Sequence, residues 1–235
     1  MKYGTKKYDK SLKKICHFQK FPEMLPWIGK DYDSRNHKKL LIIGESHYLP
    51  ERSTVHKNPC KWYRLSSHKL SKREREWINT RQIIDSGRNQ KWESKAHWIY
   101  RNVELILKRV FKPNDTTNMF QYIAFTNYFY RPAKNGQSIE LSPDDKKHSR
   151  EIIQQVVSKI KPDIVCFVST TSYETAKEDS IISFLNSRRI KYDYTPHPTC
   201  PWWNRSCKKY GNRTGKGKLL SLLKKSGFCG NIKKT

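Results

Sequence analysis

Three polar side chains, each placed directly after a short apolar run, could together do chemistry. Glu45 and Asn127 close two of these runs, and His197 lies between two prolines just beyond a third. A carboxylate can stabilise a sugar cation or orient an attacking water, and an imidazole can hydrogen-bond a leaving base as negative charge builds on it. An amide can read the edge of a pyrimidine. The trio therefore suits hydrolysis of a pyrimidine N-glycosidic bond.

The apolar runs are typical of buried strands, and the segments between them have helical periodicity. Strands are predicted at residues 39–44, 122–127, 163–169 and 190–195. The clearest helix begins at Ser142-Pro143-Asp144-Asp145, which supplies a cap, a first-turn proline and acidic residues. Other helices are expected within residues 99–110, 173–185 and 219–223. Strands that alternate with helices predict an α/β fold, an open parallel four-stranded sheet flanked by helices.

Ligands of such sheets bind outside the carboxyl ends of the strands, so we expect Glu45, Asn127 and His197 to meet at one edge. A charge of +27, from 48 Lys and Arg against 21 Asp and Glu, indicates a polyanionic partner. No apolar run is long enough to cross a bilayer. We expect a cytoplasmic monomer that binds DNA and does not enter membranes.

The 235 residues fit one domain, with two segments that stand apart by composition. Residues 1–20 look like a basic N-terminal arm, either loosely ordered or helical. Residues 50–97 look like an insertion after the first strand, because a crossover usually needs far fewer residues. The insertion is rich in Lys and Arg and contains four aromatic residues of interest: Trp62, Tyr63, Trp77 and Trp92.

The six cysteines are scattered and form no CxxC pair. We therefore expect reduced thiols, no disulfide framework, no zinc site and no cofactor. These cysteines are Cys16, Cys60, Cys166, Cys200, Cys207 and Cys229.

From about residue 39 to residue 205 the chain resembles the uracil-DNA glycosylase superfamily, most closely its iron-sulfur, family-four branch. The resemblance is carried by four short motifs in the same order. They are Gly44-Glu45, Thr126-Asn127 followed by Arg131-Pro132, Lys161-Pro162 before an apolar strand, and His197-Pro198-Thr199. Each motif is weak alone, and the four in order are fairly specific.

The resemblance implies that Glu45 handles water and the sugar cation, Asn127 reads the flipped base and His197 stabilises the leaving base. It also implies that the loop after His197 enters the duplex. Indole rings can fill a base step, so either Trp202 or Trp203 is expected to be the wedge. Arg131 and Arg205 are expected to contact the DNA.

The chain departs from the family-four pattern at two places. Tyr130 stands where that branch has a cluster-binding cysteine before its Arg-Pro, so no iron-sulfur cluster is expected. His47-Tyr48 replaces Pro-Gly, and both residues are expected to contact the base. In uracil-specific members a Tyr at this offset crowds the pyrimidine C5 position, so Tyr48 favours uracil.

The insertion favours a different substrate. Aromatic rings among charged and amide side chains suit a bound sugar or an extended base. Some superfamily members remove bulky modified cytosines from phage DNA as an antiviral defence. Uracil and a hypermodified pyrimidine therefore both stand as substrates at this point.

Two other classes of function compete with a glycosylase. A noncatalytic basic nucleic-acid-binding protein would explain the charge, but not a carboxylate at a strand end. A metal-dependent nuclease would need a cluster of carboxylates, and none can be assembled from the scattered acidic residues.

Overall fold

A computed structural model describes residues 2–111 and 118–228 of the chain. Its centre is a mixed five-stranded sheet in the order β1-β4-β2-β6-β7, beside a two-stranded sheet of β3 and β5. The strands are β1 (Trp27–Ile28), β2 (Leu40–Gly44), β3 (Tyr48–Leu49), β4 (Ile123–Asn127), β5 (Ala133–Lys134), β6 (Ile164–Phe167) and β7 (Lys191–Tyr194).

The four predicted strands are present as β2, β4, β6 and β7, and they run parallel to one another. The expectation of a purely parallel four-stranded sheet is corrected by β1, which pairs antiparallel with β4 through Trp27 and Ile28. Two residues are too few to show any periodicity, which is why the sequence did not predict this edge strand.

Ten α-helices flank the strands in the described ranges. They are α1 (Asp9–Leu12), α2 (Cys16–Lys20), α3 (Pro59–Arg64), α4 (Lys72–Trp77), α5 (Thr80–Asn89), α6 (Trp98–Phe111), α7 (Pro143–Ile160), α8 (Thr170–Glu178), α9 (Ile181–Ser187) and α10 (Gly215–Ser226). Helix α7 begins as predicted, with Ser142 and Asp145 in a reciprocal capping box and Pro143 in the first turn. No helix in these ranges is long and apolar enough to span a membrane.

Alternate residues of the strands enter two separate cores. Leu41 and Ile43 of β2 pack in the core that also contains the apolar stripe of α7. Leu40 and Ile42 pack in the other core, against α6 and α10. Helices cover both faces of the sheet. Polar side chains can therefore gather at the carboxyl ends of its strands.

The N-terminal segment is part of the fold rather than a separate arm. Leu12, Ile15 and Phe18 are at most 1% exposed and belong to the α7-side core. The backbone of Thr5 also donates to the carbonyl of Ile28 in β1. The basic composition of residues 1–20 hid a small apolar stripe, so the interpretation as an arm is corrected for residues 2–20.

The insertion is also integrated, and its aromatic residues face inward. Trp62 is fully buried, stacks on Phe21 at 4.7 Å between ring centres, and donates its indole N–H to the Tyr130 carbonyl. Trp92 is buried and donates to the Glu104 carboxylate at 2.7 Å. Tyr63 is buried as well, and Trp77 packs partly buried against the α7-side core. These rings do not form the exposed stacking platform that the sequence suggested.

Candidate functional site

The connections of the sheet identify where a ligand would bind. From β2 the chain passes to β4 on one side, then crosses to β6 and β7 on the other side. The order therefore reverses between β2 and β6, and crevices form outside the carboxyl ends of strands at such a point. Glu45 follows β2 directly, and Ser169 follows β6 by two residues.

Glu45 is held in place by two hydrogen bonds across this crevice. The Ser169 hydroxyl donates to Oε2 at 2.7 Å, and the backbone N–H of Ile139 donates to Oε1 at 3.3 Å. Ser169 is also the N-cap of α8, where its Oγ accepts from the N–H of Ser172. The carboxylate is half-buried and keeps further lone pairs, so it can accept from a water or face a developing positive charge.

His197 is fixed in one tautomer by the residue two positions on. The backbone N–H of Thr199 donates to Nδ1, and the Thr199 hydroxyl lies 2.7 Å from the same atom. Nδ1 therefore carries a lone pair, so a neutral ring bears its hydrogen on Nε2. Burial lowers the pKa of His197, and the Glu45 carboxylate opposes this effect only in part. Near neutral pH His197 is therefore uncharged and can donate from Nε2. The charge of the Glu45 carboxylate acts on its pKa.

Asn127 packs over the glycine at the end of β2. Gly44 and Asn127 are directly paired in register, and a Cβ on Gly44 would lie only 2.4 Å from the Asn127 amide oxygen. The residue is 6% exposed, and its side-chain amide forms no hydrogen bond within the described residues. An amide without a protein partner can bind a ligand edge through both its donor and its acceptor.

The two residues after Ser46 lie in different environments. Tyr48 is 38% exposed, and burial together with the Glu45 carboxylate raises its pKa, which places it beside the crevice. His47 is buried, with Nε2 3.0 Å from the Thr80 hydroxyl at the start of α5. Burial lowers the pKa of His47 to about 4. His47 therefore anchors the insertion, contrary to the expectation that it contacts a base.

The loop after His197 presents one tryptophan and buries the other. Trp202 is 44% exposed, whereas Trp203 is 3% exposed and packs in the α6-side core. The ring of Trp203 lies so close to Gly215 that a Cβ there would approach it to 2.8 Å. The exposed ring is accompanied by the exposed side chain of Arg205. Of the two wedge candidates only Trp202 is accessible.

Arg131 is a structural residue, so the expectation that it contacts DNA is wrong. It is 5% exposed and forms a two-pronged ion pair with Asp145, with a shortest distance of 2.7 Å. Its remaining donors bond to the carbonyls of His56 and Glu140. Burial alone would raise the pKa of Asp145, but Arg131 and the N-cap Ser142 lower it overall. Four of the five N–H donors of Arg131 are thus taken by groups inside the protein.

Sequence reasoning assigned no role to the residues that orient the site: Ser169, Thr199 and Asn102, whose amide donates to the Pro198 carbonyl at 2.7 Å. Ser169 had a signal, because it follows a strand and precedes a helix, the usual place for a cap. Asn102 had none, since it reaches across 96 positions.

The parts of the chain that the structure describes contain no disulfide bond and no set of side chains arranged to hold a metal ion. No group of three His, Cys, Asp or Glu side chains is close enough there to hold a metal ion. Cys16, Cys60, Cys166, Cys200 and Cys207 are free thiols. Cys229 lies outside the described residues.

Comparison with known proteins does not assign the chain. No protein-family profile matches it, and no curated protein is significantly similar to it.

Proposed function

We propose that this protein is a DNA glycosylase that flips a pyrimidine out of DNA and hydrolyses its N-glycosidic bond, leaving an abasic site. The observation that carries the proposal is that Glu45, at the switch point of the sheet, is near enough to a neutral His197 for its charge to act on the pKa of that histidine. Each is held by hydrogen bonds that leave its functional atoms free. The motif resemblance to the uracil-DNA glycosylase superfamily supports the same conclusion.

In the proposed reaction the bond between the sugar C1′ and the base nitrogen breaks, and its electron pair leaves with the base. His197 donates a hydrogen bond from Nε2 to the base oxygen that becomes negative, and it keeps its proton. Glu45 stabilises the cationic sugar and orients the water whose oxygen bonds to C1′. The proton lost by that water goes to Glu45 or to solvent, so atoms and charge balance.

Residues around Glu45 and His197 recognise the base and bind the DNA backbone in this proposal. Asn127 reads the polar edge of the flipped base with its unpartnered amide. Trp202 enters the stack and occupies the gap, and Arg205 binds a neighbouring phosphate. The charge of +27 provides affinity for the backbone, whatever the sequence.

Two structural observations favour one of the two candidate substrates over the other. Burial of Trp62, Tyr63 and Trp92 removes the aromatic surface that favoured a bulky modified base. Tyr48, by contrast, is partly exposed beside Glu45, where it can crowd the C5 position of a pyrimidine. These observations favour uracil within the proposal.

The proposal is tested by incubating the protein with duplexes that contain uracil, only unmodified bases, or phage-type modified cytosines, and scoring abasic sites. Release of uracil is expected. Release of only the bulky modified base would retain the enzyme class and overturn the substrate. No abasic product from any duplex would overturn the class itself.

A noncatalytic nucleic-acid-binding protein is the second candidate, favoured by the charge alone. It predicts binding that is indifferent to base identity and no product in any arm of the panel. Comparing Glu45→Gln with Glu51→Gln, an exposed carboxylate further along the same connection, separates the two functions. A glycosylase loses product formation only in the first variant, and a binding protein shows no difference.

A further inference from the structure

The first two turns of α6 lie at the same edge of the molecule as the site. Helix α6 returns the chain from the carboxyl end of β2 to the amino end of β4, so its own N-terminus is at the edge where Glu45 lies. Asn102 ties it there through its 2.7 Å hydrogen bond to the Pro198 carbonyl, next to His197. This part of α6 is therefore fixed against the His197 loop.

An arginine lies over a tryptophan ring on the face of α6 that contains Asn102. Trp98, Arg101 and Asn102 are separated by three and four residues, so they project from one side of the helix. The guanidinium carbon of Arg101 lies 4.9 Å from the centre of the Trp98 ring. Both side chains are partly exposed. A guanidinium stacked on an indole keeps its donors in the plane free for a ligand.

Three arginines of the insertion that precedes α6 lie close to carboxylates instead. Arg81 pairs with Asp9 at 2.6 Å, Arg75 lies 3.9 Å from Glu23, and Arg88 lies 3.8 Å from Glu104. Within residues 2–111 and 118–228, Arg101 makes no ion pair. Its charge is thus available, and the ring of Trp98 limits the conformations that it can adopt.

We propose that Arg101, held by Trp98, binds a phosphate of the DNA strand that enters the site. The inference rests on the proposed function, because it takes the nucleic acid to be the substrate. A planar fork of N–H donors matches two phosphate oxygens, and prior stacking reduces the side-chain entropy lost on binding. The connection through Asn102 relates this phosphate contact directly to the position of His197.

The test is the salt dependence of binding to an unmodified duplex, which needs no catalysis. Each phosphate contact contributes about 0.9 to the slope of log K against log salt. Arg101→Ala is expected to lower that slope by about 0.9 and to weaken binding equally for all sequences. The matched control is Arg109→Ala, the same charge change at an exposed position at the opposite end of α6. Equal slopes for the two variants would overturn the proposal.

Arg101→Lys keeps the charge and loses the planar fork, so it is expected to retain the slope but bind more weakly than the parent chain. Full affinity in this variant would overturn the stacked geometry. Thermal unfolding of each variant shows that it is folded. If the duplex binds with these slope changes but no base is released, the proposed function fails and the phosphate contact remains. If no nucleic acid binds at all, both fail.

Discussion

The insertion at residues 50–97 and the loop after His197 have similar compositions and opposite structural roles. Both combine tryptophans with many basic residues. In the insertion Trp62 and Trp92 are buried, and each indole N–H has a partner inside the protein. In the loop Trp202 is 44% exposed, on the same chain segment as His197. Residue type alone does not distinguish a core residue from an exposed one.

What separates the two regions is their relation to the edge of the sheet. The insertion packs its rings against the N-terminal segment and α6, so its tryptophans fill space between layers. The loop after His197 leaves the carboxyl end of β7 and has one tryptophan on each side: Trp203 closes the core, and Trp202 faces solvent. The loop thereby holds an exposed ring on a rigid base.

The largest effect is expected from removing a ring of the insertion. Trp62→Ala deletes a fully buried indole and leaves the Tyr130 carbonyl without its donor, so unfolding free energy should fall by about 3–5 kcal/mol. Urea denaturation measures it. Trp202→Ala serves as the matched control and should change stability by less than about 0.5 kcal/mol. Similar losses in both variants would contradict the distinction drawn between the regions.

The next effect concerns Glu45 and His197, the residues proposed to be catalytic. Glu45→Gln and His197→Ala should each reduce single-turnover base release by ~10²-fold or more, because each removes an electrostatic contributor to the transition state. DNA affinity should remain within a few-fold of that of the parent chain. His68→Ala, an exposed histidine of the insertion, is the control and should be unaffected. Near-normal release in both site variants would remove the assigned roles.

The histidine that anchors the insertion should make stability depend on pH. The pKa of His47 is lowered from 6.5 to about 4, so the unfolded chain binds a proton below pH 6.5 while the folded chain does not. Stability is therefore lost as pH falls from 6.5 towards 4, by about 1.4 kcal/mol per unit, or roughly 2 kcal/mol at pH 5. The loss of unfolding free energy between pH 7 and pH 5, measured by urea denaturation, should be smaller by roughly 2 kcal/mol in His47→Gln than in the parent chain. Replacing the exposed His68 by Gln should leave the loss unchanged.

The smallest effect is expected at the exposed ring. Trp202→Ala should lower base release from a duplex by roughly 10-fold, the scale of losing one stacking contact of about 1–3 kcal/mol. Release from a single strand, where no stack has to be held open, should change less. Leu105→Ala removes another exposed apolar side chain, from the middle of α6, and is the control. An equal loss on both substrates would argue against a wedge.

Much of this architecture is readable from the sequence, for definite reasons. Helix α7 has its cap, proline and apolar stripe in one continuous segment, and β2, β4, β6 and β7 are compact apolar runs. Local patterns of this kind survive tertiary packing. Glu45 could be placed at the sheet edge because the side chain that follows a parallel strand has little freedom of position.

The remainder depends on contacts between distant residues. Arg131 looked available until Asp145 and two carbonyls occupied its donors, and nothing near it in sequence indicated burial. The choice between Trp202 and Trp203 depended on whether Gly215 leaves room for a ring. Partners of this kind are selected by packing, which composition and periodicity do not encode.

The hydrogen bond between Glu45 and Ser169 joins residues 124 positions apart, and His197 arrives from a still later segment. Contacts of such long range form late when a chain folds, because loop closure has to precede them. A chain that has not yet paired β6 and β7 with the rest of the sheet can hold neither the carboxylate nor the imidazole in place. Base release would then appear only on completion of folding, so a refolding experiment that follows activity would time the last assembly step of the sheet.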